Sequence, residues 1–108
     1  MINDILKDIS FKGVKTQILV SNETGKQILI TVEAGSELKE HISPTDATIL
    51  VVSGELVFKI NQKEFNMKPM DMYAFKKNVK HAIVANTNSV ILLVRWKNKY
   101  TVQDFWSS

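Results

Sequence analysis

Hydrophobic residues in this chain come in short runs with a two-residue period, each ended by a turn cluster. A strand alternates its side chains between two faces, so such runs read as β-structure rather than helix. Gln17–Val20 ends at Ser21-Asn22-Glu23-Thr24-Gly25, and the branched run Gln27–Val32 ends at Ala34-Gly35. Ile49–Val52 is continuously apolar and closes at Ser53-Gly54. Leu56–Ile60 alternates cleanly: Leu56, Phe58 and Ile60 share one face, Val57 and Lys59 the other. Glu64–Met67, Met72–Phe75 and His81–Ala85 follow, and Asn86-Thr87-Asn88-Ser89 turns the chain into Val90–Trp96. That last run is too apolar for an exposed edge and belongs in the middle of a sheet.

Eight or more short strands at even spacing, with no long helix, predict a sandwich or barrel. Residues 1–108 are expected to form one domain, with a barrel core over about 26–96 and an N-terminal strand and C-terminal tail packing on it. Leu50, Val52, Leu56, Phe58, Ile60, Ile83, Ile91 and Leu93 are the expected core, although alternation leaves open which set points inward. Ile2, Ile5, Leu6 and Ile9 have helical spacing, and Thr101 with Asp104 resembles a capping box, so short terminal helices are compatible with the pattern.

Composition removes several function classes. Cysteine is absent, which excludes disulfides, thiolate metal clusters and a cysteine nucleophile. No apolar run approaches the roughly 18 residues of a membrane helix, and the acidic start Met1–Asp8 is unlike a secretory signal, so a cytoplasmic protein without membrane contact is expected. The net charge of +3 divides unevenly, with five lysines against eight acids in residues 1–58 and nine basic residues against three acids in residues 59–108. The basic half does not predict nucleic-acid binding. Its lysines are scattered along alternating segments, and Arg95 is the one arginine available for bidentate recognition. No glycine-rich phosphate loop is present, and Ser43 lacks the context of a catalytic triad.

The chemistry-bearing residues lie in two segments. Gly35, His41, Ser43, Pro44 and Gly54 form the first; Pro69, Asp71, His81 and Asn86 form the second. Their order and spacing resemble the two motifs of the cupin superfamily, over about residues 26–96. The first motif runs Gly, His, a second His, Glu and Gly; Gly35, His41 and Gly54 match it in type and spacing. The second carries a Pro-Gly-Asp turn and then a His and an Asn; Pro69-Met70-Asp71, His81 and Asn86 resemble it, with the glycine replaced by Met70. The resemblance implies an all-β fold, a single cupin jelly-roll barrel of two antiparallel sheets. It also implies a homodimer formed through an edge strand or a terminal segment. Tyr100, Val102, Phe105 and Trp106 make the tail apolar enough to pack on the barrel or on a partner.

The departures from the motif bear on function. Metal-binding cupins use both motif-one histidines, the glutamate and the motif-two histidine. Ser43 stands in place of the second histidine and Ala47 in place of the glutamate. Residues 41 and 43, two apart on one strand, would point the same way, but a neutral hydroxyl is a poor ligand for transition metals and alanine offers none. Only His41 and His81 remain, so no cofactor is expected beyond a weakly bound divalent transition metal.

The expected function is therefore a non-enzymatic small-molecule-binding module, with His41, His81, Ser43 and Tyr73 as candidate ligand contacts. The alternatives are a metal-dependent cupin enzyme of dioxygenase, isomerase or decarboxylase type using His41 and His81 in an atypical ligand set, and an interaction protein whose barrel mouth is packed shut. Met67, Met70 and Met72 read as packing. Lys76, Lys77 and Lys80 form a solvated loop or an anion site at the rim, in which Asn78 is the residue suited to a positive φ.

Overall fold

A computed structural model describes residues 6–97. Nine antiparallel strands follow in order: β1 (Val14–Ser21), β2 (Gly25–Val32), β3 (Glu37–His41), β4 (Asp46–Ser53), β5 (Leu56–Ile60), β6 (Lys63–Met67), β7 (Met72–Phe75), β8 (His81–Ala85) and β9 (Ser89–Trp96). They form a five-stranded sheet of order β1-β2-β9-β4-β7 and a four-stranded sheet of order β3-β8-β5-β6. The non-consecutive neighbours give the two-sheet jelly roll that the motif resemblance implies, within the sandwich or barrel class that the alternation predicts. β9 is central, as its apolar run requires.

The inner faces meet in one core. Ile28, Ile30 and Val32 of β2, Ala47, Ile49 and Val51 of β4, and Ile91 of β9 pack against Leu56, Phe58 and Ile60 of β5 and Ile83 and Ala85 of β8. In β4 the inward set is therefore Ala47, Ile49 and Val51; Leu50 and Val52, expected inside, are only half-buried. The reason is a second apolar row on the outer face of the same sheet, where Leu29, Leu92, Leu50 and Met72 lie side by side in register. A strand apolar on both faces carries no alternation to read. Leu93, also expected in the core, is partly buried against it.

Turns follow local chemistry. Asn61 and Gln62, at φ 52° and 62°, close the two-residue β5–β6 hairpin. Asn78 takes φ 65°, as its side chain suits, and Met70 takes φ 74° in the Lys68–Asp71 turn, where Asp71 N donates to Lys68 O at 2.9 Å. Leu6 and Lys7 are helical, but the turn ends at Asp8 and Ile9, expected on the same helix, is not helical; residues 1–5, the capping box at Thr101 and the apolar tail lie outside the described residues. Among the described residues no helix is long and apolar enough to cross a membrane.

Candidate functional site

His41 ends β3 and His81 begins β8, and the two are direct cross-strand partners. Their rings meet edge to face with centroids 4.2 Å apart. His41 is exposed, whereas His81 is only 4% exposed. On its other sides His81 meets the rings of Phe75 at 4.5 Å and Phe58 at 5.9 Å. The histidine pair thus runs from the buried face of β8 to the exposed end of β3.

Both rings are oriented in the same way. His41 Nδ1 lies 2.8 Å from Lys39 O, and His81 Nδ1 lies 3.0 Å from Val79 O. A carbonyl oxygen only accepts, so each Nδ1 carries the proton and donates. In the neutral rings Nε2 is then an acceptor on both residues. Burial pushes the His81 imidazole below its ordinary value; the Val79 carbonyl opposes that shift, and charge on His41 adds to it.

Ser43 does not share a strand with His41. β3 ends at His41, Ile42 is exposed and Ser43 lies buried in the connection to β4. Its hydroxyl donates to Thr45 O at 2.7 Å and accepts from Thr45 N at 3.3 Å, a local turn that takes up both functions. Ser43 O in turn accepts from Asn78 N at 2.9 Å, and buried Asp46 accepts from Lys77 N at 3.0 Å through Oδ1. These bonds strap the lysine loop onto the segment after β3. Tyr73 lies on the inner face of β7, stacked between Phe58 at 5.3 Å and Phe65 at 5.0 Å, one ring removed from the histidines. Of the four candidate contacts, the fold brings His41 and His81 together, and engages Ser43 and Tyr73 elsewhere.

The donor set does not fit the metal centre that the motif resemblance implies. Ala47 sits wholly buried on the core face with no ligand atom, and the Ser43 hydroxyl is bound within its own turn. Among the described residues no group of three or more His, Asp or Glu side chains is placed to hold an ion, whereas catalytic metal sites take about three protein ligands.

Two cations that motif reading passes over lie on the other sheet. Across the five-stranded sheet, Ser21, Lys26, Arg95, Ala47 and Phe75 are successive register partners. Ala47 and Phe75 point into the core, so Lys26 and Arg95 carry their side chains on that inner face as well.

Comparison with known proteins agrees with this architecture. A search of curated proteins by sequence found no significant match. Among solved structures, a conserved protein of unknown function from Streptococcus pyogenes superposes with TM-score 0.78 at 21% identity, covering 90% of this chain and 87% of that one. A cupin-2 domain containing protein from Shewanella frigidimarina gives TM-score 0.75 at 19% identity, with coverage of 90% and 93%. KdgF from a Halomonas species gives 0.71 at 16%, with coverage of 86% and 91%. At these identities the likeness concerns the fold. The family model for the cupin domain matches residues 28–95, from the middle of β2 to near the end of β9, and the chain belongs to the cupin family.

Proposed function

We propose that this protein is a non-enzymatic small-molecule-binding module whose ligand sits against the His41–His81 pair at the exposed end of β3. The carrying observation is that both Nδ1 protons are committed to backbone carbonyls, so two Nε2 lone pairs are offered, with no third ligating side chain grouped with them among the described residues. Two acceptors at an aromatic wall suit a ligand that presents a hydroxyl or N–H donor and a flat apolar body. Ser43, the nearest hydroxyl to His41 in sequence, is held by Thr45 and not offered beside the pair.

The test is an NMR titration of the histidine rings with para-hydroxybenzyl alcohol, a neutral donor on an aromatic ring, in protein dialysed against a mild chelator. The Nε2 resonances of His41 and His81 are expected to shift saturably, and His41→Ala should weaken that response. Stoichiometric metal surviving the dialysis, or rings that do not respond, would overturn the proposal.

A further inference from the structure

We infer that Arg95 and Lys26 form a carboxylate-recognition site on the sheet opposite the histidines, so that the ligand is a small organic acid carrying a hydroxyl or N–H donor. This rests on the binding-module proposal and names its ligand class.

The placement comes from register. Lys26 and Arg95 are direct partners, and Arg95 is next partnered by Ala47, itself the partner of Phe75. Phe75 touches His81 at 4.5 Å between ring centroids, which ties that row of one sheet to the His81–His41 row of the other. Moving away from this contact, one sheet presents Ala47 and then Arg95, and the other presents His41. Packed sheets are about 10 Å apart, the span of a small ligand.

The electrostatics call for an anion. Like charges directly opposite each other on a sheet destabilise it. Lys26 and Arg95 are so placed, and neither is paired with a carboxylate among the described residues. Arg95 is half-buried and its register partner on β4 is Ala47, which is 0% exposed and brings no counter-charge. A ligand carboxylate would supply that charge by bidentate pairing with the guanidinium, with the ammonium as a second donor. A monoanion suits this pair: the row offers these two cationic side chains, and its other members, Ser21, Ala47 and Phe75, are uncharged. The donor group of the same molecule would reach the histidine Nε2 atoms.

The test compares para-hydroxybenzoate, para-hydroxybenzyl alcohol and inorganic phosphate as probes on the full chain, by titration calorimetry and histidine-ring NMR. In the native protein the benzoate is expected to bind at least about tenfold tighter than the alcohol. Arg95→Gln should erase that advantage, and Lys26→Gln should reduce it. Because Arg95→Gln removes a like-charge contact, its melting temperature without ligand should be unchanged or raised. Lowered stability would mean that the arginine is structural, and would overturn the assignment. Equal binding of benzoate and alcohol, or unaltered benzoate binding by Arg95→Gln, would overturn the carboxylate site while the alcohol response leaves the binding module standing. Phosphate binding as tight as benzoate would overturn the choice of a carboxylate. Failure of every probe to move the histidines would overturn both proposals.

Discussion

Gly54→Ala is expected to be among the most damaging single-methyl additions in the barrel. Gly54 has φ +84°, a left-handed conformation in which a side chain costs about 1–2 kcal/mol. A Cβ there would also run into the Asn88 carbonyl oxygen, would lie 2.5 Å from Ser89 Oγ and 2.7 Å from Ser89 Cα. Two of these three are backbone atoms. Relieving the overlap means displacing a tied loop. Ser89 is wholly buried and donates to Thr87 O at 2.8 Å and to Glu55 O at 3.3 Å, while Glu55 N donates to Thr87 Oγ1 at 2.9 Å. Losing one or two of these bonds adds about 1–3 kcal/mol, and the reduced freedom of the unfolded chain returns about 0.5–1. The net loss is about 1–4.5 kcal/mol, a large share of a small domain's stability. Gly35→Ala is the control: its φ is +83°, yet nothing lies within 4 Å of the added atom, so it carries only the conformational cost. Urea unfolding followed by tryptophan fluorescence would measure both. Gly54→Ala falling within about 0.5 kcal/mol of Gly35→Ala would refute the reasoning, because it would mean the loop yields freely.

Two further outcomes follow from the same structure. Met70→Gly should stabilise the fold by about 0.5–1 kcal/mol, read from the urea midpoint: Met70 holds φ 74° with its side chain 76% exposed, and glycine removes the strain at little packing cost. Acid should cost stability through His81. Its folded value lies below the unfolded 6.5, so the unfolded chain takes the proton first. Stability is then full above 6.5 and falls as pH drops from 6.5 toward the folded value, with a slope of no more than about 1.4 kcal/mol per pH unit from this residue. Urea midpoints across that window should fall in the native protein and stay flatter in His81→Asn; parallel curves would exclude His81 as the source.

The strands could be read from the sequence wherever only one face is buried. β5, with burial alternating between the core and solvent, was visible to the residue, as were β7 and β8. β3 was not, because Glu37-Leu38-Lys39-Glu40-His41 is an exposed edge strand with one half-buried residue, and its pattern resembles a polar loop. The inward face of β4 was unreadable because Leu50 and Val52 are as apolar as Ile49 and Val51. The histidines came from motif spacing, but the place of Ser43 did not: β3 stops at His41, and the serine's own hydrogen bonds turn the chain. Arg95 was visible only as a residue count. Its relation to Ala47 and Phe75 is a matter of register between strands far apart in sequence, and that register includes a bulge between Val51 and Ser53.

The two histidines ride on unequal supports. His81 belongs to β8, which is bonded on both sides, by β3 and by β5. His41 closes an edge strand that has a single neighbour and a break in its register between Leu38 and His41. Strands with one partner and an exposed surface open locally at a lower free-energy cost than those within a sheet. One half of the pair is therefore a fixed anvil and the other a sprung jaw. On the proposed reading, molecules of somewhat different girth would be accommodated by peeling back this single edge, while the sheet carrying Arg95 stays in register.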